Sequence, residues 1–280
     1  MTAARTIETG TSHLLARVED RVATLTLNRP ERRNAFSTEM LEGLGRALEE
    51  IELARDVGCV VLTGAGSAFS AGGDVKGMDE GNAPGATSGA RENVDARIHA
   101  MRRLQRITSG RLYTLAKPVI ASLPGAAAGG GFSLALACDL RIAAENALLV
   151  TSFARIGFSG DWGGTFLATQ IVGSAKAREL YYLSDRIEAR EALRLGLVNR
   201  VVPASELGAT VRELALRIAH GPTVAYRLMK ENLNRAADGA GMLECLDLEA
   251  SNLVASSLTE DHREATRAFV ERREPVFRGH

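Results

Sequence analysis

At 280 residues the chain exceeds a typical single domain of roughly 100–150 residues, so one large unit with an appendage is expected. Its 45% hydrophobic and 24% charged residues describe an ordinary globular protein, which excludes a disordered, fibrous or membrane-embedded chain. Lys plus Arg and Asp plus Glu number 34 each, for a formal net charge of +0, so nucleic acid and anionic membranes are excluded as partners and any phosphate binding must be local.

The polar stretch from Met1 to Ser12 lacks the apolar run of a secretory signal and predicts a flexible N-terminus, residues 1–12. His13 to Val18 and Val22 to Leu27 flank Glu19-Asp20-Arg21, and the alternation within the second run predicts a β-hairpin. Ser37 caps a helix on which Leu41, Leu44, Leu48 and Ile51 recur at spacings of three and four and share one face. Cys59 to Thr63 is a continuous apolar run ending in Gly64-Ala65-Gly66, the pattern of a buried strand, and Pro118 to Leu123 repeats it before a second glycine-rich turn. Between them, Gly81 to Gly89 is rich in Gly, Pro, Ser and Ala and predicts a mobile loop, followed by a helix from about Arg91 to Ala116.

Asp139 to Ala143 and Leu148 to Thr151 read as further strands, and from about Gly163 the chain turns mostly helical. Val201-Val202-Pro203 marks the boundary between a core, residues 13–200, and a helical C-terminal region, residues 201–280. Within that region Glu206 to Ala219, Thr223 to Ala237, Gly241 to Ser256 and Asp261 to Arg272 are predicted helices. An appendage this long packs on something, here a neighbouring subunit. No segment approaches the roughly 20 apolar residues of a membrane helix. Cys59, Cys138 and Cys245 are odd in number, far apart and without zinc spacing, which predicts buried free thiols, no metal and a cytoplasmic location.

Two glycine clusters follow buried strands. Gly64-Ala65-Gly66 with Ala71-Gly72-Gly73-Asp74 forms the first, and Pro124-Gly125 through Gly129-Gly130-Gly131 forms the second, directly ahead of an apolar helix. Glycine lets a ligand approach main-chain N–H groups, and a helix N-terminus adds unsatisfied donors, so an oxyanion is favoured there. Tight turns and close packing are the alternative use of such glycines. Neither cluster contains G-x-x-x-x-G-K-[ST] or opens a dinucleotide fingerprint. Gly131-Phe132-Ser133-Leu134-Ala135 imitates a nucleophile elbow, but the available downstream histidines, His220 and His262, lie in the helical tail, so a small residue at a packed helix suits Ser133 better.

Leu27-Asn28-Arg29-Pro30-Glu31-Arg32-Arg33-Asn34-Ala35, Val61 through Asp74, Lys117-Pro118-Val119-Ile120, Gly129-Gly130-Gly131 through Asp139, Leu195-Gly196-Leu197-Val198-Asn199 and Ala268 through Arg273 together resemble the crotonase, or enoyl-CoA hydratase/isomerase, superfamily. The resemblance implies an α/β fold, a crotonase-like spiral of β-β-α units with a C-terminal helical trimerisation region, assembled as a homotrimer or homohexamer. It implies an acyl-CoA substrate, with coenzyme A as part of that substrate and no separate cofactor. It also implies an oxyanion hole from the N–H groups of Ala71 and Gly130, a substrate site involving Ala35, Ala71, Gly72, Gly73, Asp74, Gly130, Phe153 and Trp162, and Arg32, Arg33 and Arg272 as candidates for the CoA phosphates.

Ser133 and Phe153 stand where family hydratases carry two glutamates, and neither a hydroxyl nor a phenyl ring exchanges protons near neutrality. Asp161, in Ile156-Gly157-Phe158-Ser159-Gly160-Asp161-Trp162-Gly163, becomes the leading catalytic candidate, though Asp also suits a helix cap there. The placement is similar to that in the ring-epoxide and dienoyl-CoA isomerases, where an aspartate moves a proton along the acyl chain. It is also similar to the 4-chlorobenzoyl-CoA dehalogenases, where the matching aspartate attacks an aromatic carbon. The favoured expectation is an enoyl-CoA isomerase. The alternatives are an atypical hydratase, an aromatic acyl-CoA dehalogenase or hydrolase with His99 as its base, and a non-catalytic acyl-CoA binder. Asp74 and Asp139 fit loop or junction roles.

Overall fold

The computed structural model describes residues 4–74 and 94–280. The stretch 81–89 expected as a mobile loop lies outside the described residues.

The chain winds as repeated β-β-α units. Strands β3 (Val22–Leu27), β4 (Cys59–Gly64), β6 (Val119–Leu123), β8 (Leu140–Ala144) and β11 (Arg200–Val202) run parallel, and β1 (Arg5–Thr6) and β2 (Leu14–Glu19) add antiparallel to one edge, in the order β1-β2-β3-β4-β6-β8-β11. After each of β4, β6 and β8 the chain crosses to a smaller sheet through β5 (Ala68–Ser70), β7 (Ala126–Ala128) or β9 (Leu148–Val150), and β10 (Ile187–Glu188) completes it in the order β10-β9-β7-β5. A helix then returns each turn: α2 (Val94–Gln105), α4 (Gly130–Leu136) and α5 (Gly164–Leu183).

The alternation along the central strands assigns their two faces. Val60 and Leu62 join the main core with Leu41, Leu44, Leu48 and Ile51 of α1 (Thr38–Leu53), whose first turn is capped by Ser37 accepting the Met40 N–H at 3.1 Å. Cys59, Val61, Ile120 and Ile142 face the other way, against Val211, Ala215 and Ala219 of α7 (Leu207–Ala219). Both faces of the parallel sheet are thus covered, which is why its strands read as unbroken apolar runs.

Several expectations are corrected. Within the stretch foreseen as a flexible N-terminus, residues 5–7 are tied down: Arg5 pairs with Val18 and Thr6 with Arg17, and Ile7 is buried in the core. The helix foreseen to reach Ala116 is interrupted, since α2 ends at Gln105, a π turn occupies Arg106–Gly110, and the short α3 (Arg111–Thr114) follows. The boundary at Val201 falls inside β11, which pairs with β8, so the last strand of the core straddles it. Beyond it lie α7, α8 (Thr223–Ala237), α9 (Met242–Ser257) and α10 (Glu260–Glu271), close to the expected bounds. α6 (Ala189–Arg194) precedes them.

Cys59 and Cys138 are buried free thiols, with burial pushing each pKa up to about 12, and Cys245 is free and half-buried. Among the described residues no group of side chains is arranged to hold a metal ion, and no helix is long and apolar enough to cross a membrane.

Candidate active site

The two glycine clusters meet. A Cβ on Gly72, whose φ is +78°, would stand 2.5 Å from Ala128 O and 2.7 Å from Gly130 N, so only glycine permits this approach of the β5 and β7 crossings. The first cluster is fixed from β3 onward: Asn34 donates to Ala65 O and Ala68 O at 2.9 and 2.8 Å, Arg29 donates to Ala35 O at 2.8 Å and pairs with Asp74 at 3.2 Å, and Phe36 N–H reaches Gly72 O at 2.7 Å. Asp74 is therefore a junction residue. Ala35 is buried.

The expected role of Ala71 is overturned by its own hydrogen bond. Its N–H donates to Arg33 O at 2.9 Å and is not available to a ligand. Among the described residues the N–H of Gly73, two residues on, and that of Gly130, in the uncapped first turn of α4, make no such bond. Glycine at position 73 gave a sequence signal for close backbone approach, but only the hydrogen bonding separates it from Ala71.

Asp161 directly precedes the residue that packs on Gly130. The next residue, Trp162, packs its indole so closely on Gly130 that a Cβ there would meet Cδ1 and Nε1 at 2.7 Å and Phe36 Cε2 at 2.8 Å. The Phe36 and Trp162 rings meet edge to face at 5.5 Å. Trp162 holds a left-handed φ of 52° and its N–H is accepted by Gln105 Oε1 at 3.0 Å, an anchor that sequence patterning did not reveal. Asp161 Oδ1 is buried and lacks a hydrogen-bond partner. Burial pushes its pKa up to about 7, with the Trp162 side chain opposing that shift. The helix-cap reading is not borne out: the N-cap of α5 is Gly163, with no capping side chain.

Phe153 is buried and stacks on Tyr181 of α5 at 5.7 Å. Ser133 is buried within α4, with its hydroxyl on Gly129 O at 3.4 Å, and among the described residues no histidine hydrogen-bonds to it. His220 instead bonds Leu216 O at 3.0 Å, and His262 lies exposed on α10, so the nucleophile-elbow arrangement is absent. His99 is exposed on α2. Arg32 and Arg33 are exposed on the turn whose carbonyl holds Ala71, and Arg272 is exposed at the end of α10. Asp139 accepts from Val119 N at 2.7 Å and Lys230 Nζ at 2.9 Å, away from this site.

The family model for enoyl-CoA hydratase/isomerase matches residues 17–280. The chain belongs to the enoyl-CoA hydratase/isomerase family. It is 36% identical over 267 residues to a 1,2-epoxyphenylacetyl-CoA isomerase of Escherichia coli K12, covering 95% of this chain and 98% of that protein. It is equally 36% identical over 263 residues to a short-chain-enoyl-CoA hydratase of Clostridium acetobutylicum, covering 94% and 96%. The crystal structure of an enoyl-CoA hydratase from Bacillus anthracis superposes with a TM-score of 0.86 at 33% identity, covering 96% of this chain and all of that one. The fold is therefore the crotonase-like α/β spiral with helices at its C-terminus, and membership of the enoyl-CoA hydratase/isomerase family implies an acyl-CoA substrate.

Proposed function

We propose that the protein is an enoyl-CoA isomerase in which Asp161 carries the proton. The thioester oxygen lies between the N–H groups of Gly73 and Gly130, Asp161 removes a proton from the acyl chain, and the charge delocalises onto that oxygen as an enolate or dienolate. Asp161 then returns the proton at another carbon. One carboxylate suffices, because each proton it takes is the one it gives back.

The observation that carries this reading is Asp161 itself: a half-buried carboxyl with an unpartnered oxygen, its pKa raised to about 7, beside the Trp162–Gly130 contact. A general base with its pKa near the working pH contributes roughly 10²–10⁴-fold, and loss of an oxyanion donor costs about 3–4 kcal/mol of barrier. Hydration by two carboxylates is disfavoured by Ser133 and Phe153. The isomerase relative supports the reading, and the equally similar hydratase relative keeps the product analysis essential.

Gly72, Ala35, Phe153 and Trp162 are proposed as walls of the acyl site, and Arg32, Arg33 and Arg272 as phosphate ligands of coenzyme A. No cofactor is required beyond the coenzyme A of the substrate. A homotrimer or homohexamer in the cytoplasm belongs to the same reading, supported by the exposed Leu243, Leu253, Val254, Phe269 and Val270 of α9 and α10.

Solvent-deuterium incorporation into saturated, 2-enoyl, 3-enoyl and aromatic acyl-CoA thioesters tests the proposal. Double-bond migration or exchange lost in Asp161→Asn, with CoA ligands still bound, is expected. Water addition that survives the substitution would replace the isomerase with an unrecognised hydratase arrangement.

A further inference from the structure

Among the described residues two buried side-chain polar atoms lack a hydrogen-bond partner, Asp161 Oδ1 and Tyr181 Oη. They share one neighbourhood. The Tyr181 ring lies on Phe153 and beside the Asp161 loop, where a Cβ on Gly160 would stand 3.1 Å from its Cε1. At the start of α5, a Cβ on Gly164 would meet Tyr181 Oη at 2.5 Å and Ser133 Oγ at 2.2 Å, so both hydroxyls converge on that glycine.

Burial and the charge of Asp161 raise the Tyr181 pKa, and Ser133 opposes them, leaving the phenol a neutral O–H donor. Phenylalanine would fill the same space and stack equally well without burying a hydroxyl, so stacking does not account for it. Neither Asp161 nor the nearby Ser133 satisfies the hydroxyl in hydrogen-bond geometry, since Tyr181 Oη itself is without a partner among the described residues. A hydrocarbon acyl chain would leave the donor stranded, whereas an oxygen on the acyl group would accept from it.

We propose that this site selects acyl-CoA thioesters whose acyl group carries an oxygen atom, as hydroxyl, carbonyl or ring ether, which accepts a hydrogen bond from Tyr181 Oη. The inference rests on the reading that Asp161 acts on the acyl chain, and it names the substrate class for that chemistry. A site built around a substrate oxygen discriminates against the analogue lacking it, because the buried donor is then left unpaired.

The test compares wild type, Tyr181→Phe and Asp161→Asn on butyryl-, hexanoyl- and phenylacetyl-CoA and on their hydroxy and oxo counterparts, with the oxygen moved along the chain. Dissociation constants and kcat/KM are measured, with thermal melting of each variant. Wild type is expected to prefer an oxygenated member by roughly 10- to 100-fold, and Tyr181→Phe to lose that preference while binding the hydrocarbon partner unchanged and melting no lower. Absence of a preference in wild type, its survival in Tyr181→Phe, or equal weakening of both partners with a lower melting temperature would each overturn the proposal. Turnover surviving in Asp161→Asn would sink the proton-carrier reading alone, because the oxygen preference is read independently from dissociation constants.

Discussion

Gln105 Oε1 accepts the Trp162 backbone N–H at 3.0 Å, linking the last residue of α2 to the loop that carries Asp161. Trp162 is held at φ 52°, a conformation that bulky L residues rarely adopt and that persists only when its surroundings enforce it. The indole on Gly130 is one constraint and Gln105 is the other. The π turn directly after Gln105 is a local irregularity of the kind often found at functional sites.

Gln105→Met therefore leaves the Trp162 N–H without its acceptor, at a cost of about 1–3 kcal/mol. Chemical denaturation should register that loss, and steady-state kinetics should show kcat falling more than KM rises as Asp161 loses its aim. Gln105→Glu keeps an acceptor oxygen and should retain most activity. Equal activity in the Met and Glu variants would mean that the Trp162 contact with Gly130 suffices alone.

The raised pKa of Asp161 fixes two pH dependences. A carboxylate base is active only when ionised, so kcat/KM should rise with pH and level off above about 7. Stability runs the other way. An unfolded Asp ionises near about 3.9, whereas the folded group holds its proton to about 7, so the folded state binds more protons between those values and loses stability as pH rises through them. Asp161→Asn removes that penalty: the variant should match wild type near pH 4 and exceed it at pH 8 by of order 1–3 kcal/mol, measured by urea denaturation at both pH values. A variant less stable than wild type at pH 8 would show that Asp161 has a stabilising partner.

The long elements were legible because burial leaves a pattern. Leu41, Leu44, Leu48 and Ile51 mark one face of α1, and Cys59 to Thr63 mark a strand covered on both sides. β5 and β7 left none: Ala68–Ser70 and Ala126–Ala128 are three residues each, without β-branched side chains, and read as parts of glycine loops. Within the site, the glycines pointed to backbone donors and the acid-bearing loop pointed to Asp161. Which N–H remains free depends on Arg33 O, a main-chain partner 38 positions before Ala71 that no residue type announces. Tyr181 and Gln105 act through tertiary contacts from helices whose patterns carry no chemical signature.

Gly130 tests the oxyanion pair. Its substitution by Ala retains the N–H but drives a methyl group into Trp162 and Phe36 at 2.7–2.8 Å, so the ring and the adjoining Asp161 must shift. kcat/KM should fall about 10²–10³-fold, with circular dichroism unchanged if α4 persists. Ser70→Ala is a milder probe of the same support, since Ser70 Oγ accepts the Gly72 N–H at 3.1 Å and donates to Asn34 O at 2.8 Å. It should cost about 1–3 kcal/mol in stability, as the buried Gly72 donor loses its partner.

Lys230 of α8 separates structural from catalytic acids. Its Nζ donates to Asp139 at 2.9 Å and Leu112 O at 3.0 Å, and Asp139 also accepts the Val119 N–H, so one buried pair ties a C-terminal helix to the start of β6. Burial raises the Asp139 pKa while Lys230 pulls it down, so removing the lysine leaves a carboxyl with its main compensation gone. Lys230→Met should destabilise the fold by about 3–5 kcal/mol, and adding Asp139→Asn should recover part of the loss by removing the orphaned charge. Both variants should retain deuterium exchange per folded molecule, because the pair stands apart from Asp161. An exchange defect that persists after correction for the folded fraction would instead couple the C-terminal helices to the chemistry, and the non-additivity of the two substitutions would measure that coupling.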